Sequence, residues 1–272
     1  MRETIMTALI CTLLSAGLAL AQGGETQSFV VPLSDPSQPV VLEASVMMGS
    51  ISVSAYEGSE VQVEVSFEGD PDDDEEGEER EGLTRIPSHS AGVTIEEKNN
   101  KIEISTDWSN EEIYIKVKVP VRTSVHLDGL NGELVEIDGV TGQHELSHTN
   151  GGIKAVNVRG SVIADTTNGD VVVELLEIDP DTPMSFSSFN GDVEVTLPAS
   201  TQADLRMKSG QGDIYTDFDV QLQPSQPRVT REQEGEGFRV RMEKEVLGKI
   251  GAGGPEFRFK TFNGDIILRK LQ

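Results

Sequence analysis

The chain has 272 residues, with 22 Lys and Arg against 47 Asp and Glu and a formal net charge of −25. Such a field repels phosphate before contact forms, which excludes nucleic acid and bare anionic membranes as ready partners and favours cations or basic surfaces. The single cysteine, Cys11, excludes an internal disulfide.

In chain order, residues 1–21 read as a secretory signal: Arg2, an apolar run from Ile5 to Leu20, then the small-residue pattern Ala19-Leu20-Ala21. Cleavage between Ala21 and Gln22 is expected, and Cys11 would leave with the signal. No second apolar span follows, so no integral membrane segment is expected after cleavage. A lead segment over 22–39 precedes a β region over 40–120. That region is interrupted by an acidic loop, 68–81, which carries ten acidic residues and one Arg. Asp70, Asp72, Asp74 and Glu81 fall on ligand positions of a calcium loop, which makes them weak Ca²⁺ candidates. Glu75 stands where such a loop needs its turn glycine, and like charges repel, so a solvated loop is the expected state.

From residue 121 onward a repeat is visible. Asn-Gly followed by a small or acidic residue and then an aliphatic one occurs at Asn131, Asn150, Asn168, Asn190 and Asn263, with Gln211 in the same place in "QGDI". Neighbouring units up to Gln211 are spaced by 19, 18, 22 and 21 residues. Aligned on these corners, the residues four before are Leu127, Leu146, Ala164, Phe186, Met207 and Phe259, and those six before are Val125, His144, Val162, Met184, Leu205 and Phe257. Three after stand Leu134, Ile153, Val171, Val193, Ile214 and Ile266, while Glu136 breaks the apolar column five after. Period-two alternation on both sides of the turn is strand geometry with one face buried.

The frame extends backwards with Met48 or Asn99 in the corner position. Residues 221–254 read instead as a hairpin insertion. The expected fold is all-β, a single elongated β-solenoid with Asn-Gly corners; serial antiparallel hairpins in a β-sandwich fit the same columns. The phenylalanines Phe186, Phe189, Phe257, Phe259 and Phe262 suggest a broadened core closing the C-terminal end of the stack.

The strings "IKVKVPVRTSVHL", "TTNGDVVVE", "SFNGDVEVTLP", "LPASTQADLRMKSGQGDIYTDF" and "TFNGDIILRK" resemble the bacterial putative-adhesin family of β-strand-repeat proteins, a domain of unknown function. The resemblance spans roughly 40–272. It implies an exported envelope or surface protein with a solenoid body, and it carries no catalytic residues across.

One string competes with this reading. "HELSH", residues 144–148, is the His-Glu-x-x-His pattern of zinc proteases, with His144 and His148 as ligands and Glu145 as base. In the repeat frame these residues lie in a strand. Four steps of about 3.3 Å then hold the two Cα atoms on the order of 13 Å apart, whereas zinc needs both ring nitrogens at about 2 Å. Neither His89 nor His126 offers an obvious third ligand. No catalytic, cofactor or metal residue is therefore assigned. The reading that follows is a non-enzymatic, exported scaffold, adhesin-like or sensing, with an unidentified envelope or surface partner. A calcium- or glycan-binding module is the alternative, and a carbohydrate-active or zinc enzyme ranks below both.

Overall fold

The structure is a computed structural model and describes residues 26–68, 92–108, 111–224, 228–234, 237–243 and 245–272. The signal segment with its Ala21–Gln22 junction, the calcium candidates Asp70, Asp72, Asp74 and Glu81, and His89 lie outside the described residues.

The described residues form strands and turns, with no helix among them. In chain order the strands are β1 (Thr26–Pro32), β2 (Val40–Tyr56), β3 (Glu60–Glu68), β4 (Val93–Lys98), β5 (Lys101–Thr106), β6 (Glu112–Pro120), β7 (Thr123–Asp138), β8 (Thr141–Asn168), β9 (Val171–Ile178), β10 (Met184–Asn190) and β11 (Val193–Leu197). They continue as β12 (Ala203–Ser209), β13 (Ile214–Thr216), β14 (Val220–Gln223), β15 (Arg228–Glu234), β16 (Gly237–Glu243), β17 (Val246–Ile250), β18 (Glu256–Thr261) and β19 (Ile266–Lys270). Seventeen belong to one mixed sheet, and β15 and β16 form a separate antiparallel pair.

The repeat strands pair in parallel and in the register of the aligned columns. Leu42 lies opposite Val125, Val125 opposite His144, and Met48 opposite Asn131, which lies opposite Asn150. Within the large sheet, antiparallel pairing involves the added strands: β3 against β6, β1 against β3, β4 against β5, and β17 against both β12 and β14. The aligned columns six and four before the corners are buried throughout, with Phe186, Phe257 and Phe259 among the largest enclosed side chains. Burying aliphatic and aromatic groups at about 25 cal/mol per Å² is what holds such layers together.

Three expectations need correction. In the first unit Val135, not Leu134, faces Ile153, because the register shifts between Asn131 and Leu134. One extra residue there turns Val135 and Ile137 inward and Glu136 outward, which removes the apparent break in the column. Asn99 is no corner: Asn99 and Asn100, at φ 55° and 62°, close the β4–β5 hairpin. The equivalent bend lies between β5 and β6, which pair with successive parts of β2.

The third correction concerns the C-terminal phenylalanines. The last segment does not close the stack. Strand β18 lies between β10 and β12, and β19 lies between β11 and β13, so the final segment is intercalated and the end is formed by β12, β17 and β14. Phe186 stacks on Phe259 and Phe189 on Phe262, with centroids 5.2 and 5.0 Å apart.

Candidate functional site

The corners are built from columns of polar groups that bond from one strand layer to the next. The amide of Asn150 donates to Oδ1 of Asn131, Asn168 to Asn150, Asn190 to Asn168 and Asn263 to Asn190, at 2.6–2.7 Å. Gln211 extends the corner beyond Asn263 through its backbone N–H, which donates to the Phe262 carbonyl at 2.7 Å. Two residues after the corner, the Asp170 carboxylate accepts the N–H of Asp192. Asp192 accepts that of Asp265, and Asp265 that of Asp213, at 2.7–2.8 Å. Two before the corner, the hydroxyls of Thr166, Ser188, Thr261 and Ser209 donate to the carbonyls of Gly151, Gly169, Gly191 and Gly264. That hydroxyl column was readable as Ser or Thr two before each late corner, and only the structure gives it a partner.

The glycine after each corner has a steric reason. A Cβ on Gly191 would sit 2.1 Å from the Gly169 carbonyl oxygen, and one on Gly264 would sit 2.2 Å from that of Gly191. Both glycines have φ near 150°, a backbone state open to glycine and strained for side-chain-bearing residues.

The two histidines of "HELSH" are both inside. His144 is 3% and His148 2% exposed, on the inward face of β8, while Glu145 points out and meets His126 Nε2 at 3.0 Å. His148 takes the place that Thr166 and Ser188 fill in later layers. Its Nδ1–H donates to the Gly152 carbonyl at 3.1 Å. Gly129 makes the room, because a Cβ there would come within 2.6 Å of the His148 ring. Burial pushes the His144 imidazole down to about 4 and also lowers His148, where the bond to Gly152 opposes the effect in part. Both rings are therefore neutral near pH 7. Glu145 is on the opposite face of the strand, so the three residues do not converge on one point. Among the described residues no group of three or more His, Cys, Asp or Glu side chains is arranged to hold a metal ion.

Two features of the outer surface stand apart from the ladders. A hollow of about 330 Å³ over β2, β5 and β7 is lined by Glu43, Glu103, His126, Asp128 and the short Ser45 and Ser105. Lys101 bridges Glu43 and Glu103 at its margin. Several layers further along, the stacked Phe189 and Phe262 are 51% and 43% exposed. Trp108, 72% exposed, sits in the bend between β5 and β6 rather than in the core. No helix among the described residues is long and apolar enough to cross a membrane.

Parallel strand layers locked by asparagine, aspartate and hydroxyl columns define an all-β repeat protein whose polar repeat residues bond to one another. The family described as Toastrack DUF4097 matches residues 86–269, and the chain belongs to that family. Among solved structures it is similar to a putative cell adhesion protein from Clostridium sporogenes, at 12% identity and a TM-score of 0.45, covering 91% of this chain and 100% of that one. It is also similar to a putative adhesin from Bacteroides fragilis, at 12% identity and a TM-score of 0.30, covering 94% of this chain and 100% of that one. A third, a putative adhesin from Parabacteroides merdae, has 8% identity and a TM-score of 0.24 over 92% of this chain and 97% of the other. No curated protein matches the chain.

Proposed function

We propose that the chain is an exported, non-enzymatic β-solenoid that serves as an adhesin-like scaffold of the bacterial envelope. The observation that carries this reading is that the repeated polar residues are spent on one another. Asn amides, Asp carboxylates and Ser or Thr hydroxyls form bonds from layer to layer, and the two histidines of the zinc-like string are enclosed and neutral. A catalytic group needs an accessible nucleophile or base poised near its working pKa. A scaffold needs a stiff, soluble body, and a chain of −25 with bonded corner columns supplies one.

The experiment is to express the whole chain in a bacterial host and measure the intact mass of the product in the exported fraction. A chain beginning at Gln22 supports the reading, whereas full-length chain retained in the cytoplasm overturns export. A glycan-binding module is the second reading, favoured by the exposed Phe189–Phe262 stack, since sugar rings dock on aromatic faces. Titration with oligosaccharides, comparing the native chain with Phe262→Ser, separates it from a plain scaffold. Calcium is tested alongside by melting with and without Ca²⁺ before and after deletion of 70–81.

A further inference from the structure

In the large sheet, four strands have a hydrogen-bonded neighbour on one side only among the described residues: β1, β4, β13 and β14. Such an edge presents unpaired N–H and C=O groups, and proteins that stay monomeric blunt it with charge, proline or brevity. Strand β4 carries Glu96, Glu97 and Lys98, and β13 is three residues long. The other two are not protected in this way. Strand β1, "TQSFVVP", has no charge in seven residues and its proline stands at the very end; β14, "VQLQ", has no charge in four. Both also carry apolar side chains that the fold leaves uncovered. Phe29 lies opposite Val63, which is 1% exposed, yet Phe29 itself is 43% exposed, and Val30 on the other face is 60% exposed. Leu222 on β14 is 70% exposed, two residues along from Val220, which packs against the core. The buried face thus runs off each end of the sheet unfinished.

The two edges lie in unlike surroundings. Strand β3, which pairs with β1, carries Glu60 and Glu64 and no Lys or Arg, whereas β17 and β12, next to β14, carry Lys249, Arg206 and Lys208 against Asp204 and the adjoining Glu245. Two β1 edges facing each other would bring together the acidic ends of two copies. A β1 edge facing a β14 edge joins an acidic end to a nearly neutral one, and like-charge repulsion disfavours the first arrangement.

We propose that β1 of one copy pairs with β14 of the next, so that copies of this chain associate end to end and continue the sheet across the junction. The contact is heterologous, and such a contact does not close on itself unless the rotation between copies happens to bring it round. It covers Phe29, Val30 and Leu222 at once.

Sedimentation velocity tests this on the chain from Gln22 to Gln272 across roughly 1 to 500 µM, the range in which small interfaces dissociate. The native chain is expected to gain mass with concentration and to pass beyond dimer. Val30→Lys and Leu222→Lys each place a charge on one edge, and each variant alone should stay monomeric. Mixed in equal amounts they should form a heterodimer and stop there, because each retains one intact edge. Ser28→Lys, exposed on the same face as Val30, is the second β1 variant should Val30→Lys lose its native circular dichroism. A native chain that remains monomeric throughout overturns the proposal. So does a Leu222→Lys chain that still dimerises, which would mean β1 pairs with β1.

Discussion

Two kinds of asparagine turn lie in this chain, and they send their strands in opposite directions. At Asn99-Asn100 both residues sit near φ 60°, the pair of left-handed conformations that reverses a strand onto itself, and β4 returns antiparallel to β5. At Asn168-Gly169 only the glycine has positive φ, near 150°, and the chain bends without reversing, so β8 and β9 each go on to pair in parallel with other layers. What separates the two is the neighbour above. The hairpin turn bonds to its own surroundings, as Asn100 does with Asp35 and Glu97. The corner bonds to the equivalent corner one layer away, and it needs glycine because a carbonyl oxygen of that layer occupies the space of a Cβ.

The largest expected effect breaks the corner at its steric point. Gly191→Ala should cost well over 4 kcal/mol or prevent folding, since its Cβ would overlap the Gly169 carbonyl at 2.1 Å and its φ is unfavourable to alanine. Gly152→Ala is the control: the nearest atom to its Cβ is at 3.5 Å, so thermal melting should barely move. Phe259→Ala comes next, at about 3–5 kcal/mol by urea denaturation, because it empties a fully buried site in the intercalated strand and removes the stack on Phe186.

The third effect reads the core beside a corner through pH. His144 titrates near 6.5 when unfolded and near 4 when folded, so between those values the unfolded chain holds more protons. Its contribution is fully present above about 6.5 and is lost as the pH falls toward 4, on the order of 3 kcal/mol in all. His144→Leu should flatten the stability profile over that window, and a slope unchanged by the substitution would contradict the burial argument.

Smaller still, Asn190→Ala removes two ladder bonds, to Asn168 and from Asn263, at an exposed corner, and should cost about 1–2 kcal/mol. Asn99→Gly relieves the left-handed conformation in the hairpin and should change stability by only a few tenths of a kcal/mol. A large loss there would mean that the hairpin and the corners depend on asparagine in the same way.

Much of the strand register was legible in the residues themselves. Val125, His144, Val162, Met184, Leu205 and Phe257 were aligned by spacing from the corners, and all are buried. The failures occurred where the count is disturbed. One extra residue after Asn131 moved Leu134 off the core column, and Asn99 mimicked a corner because hairpins and corners share the same alternation. The zinc-like string resolved into a core histidine and a corner histidine, a pattern whose signal was the glycine at 129 that clears space for His148.

Alternation of side chains along a strand is a local property, and the sequence by itself therefore determined that this protein is all-β, where the Asn-Gly corners fall and which face of most strands is buried. The order in which the layers stack was decided only by the tertiary structure. Backbone ladder bonds are the same for every pair of strands, and the columns of 184–197, 203–216 and 256–270 are alike enough that any could neighbour any other. Placing 256–270 between the other two lets Phe259 lie against Phe186 and Phe262 against Phe189, with Gly210 leaving room beside Phe262. Those contacts join residues about seventy positions apart, and no periodicity within the chain records them.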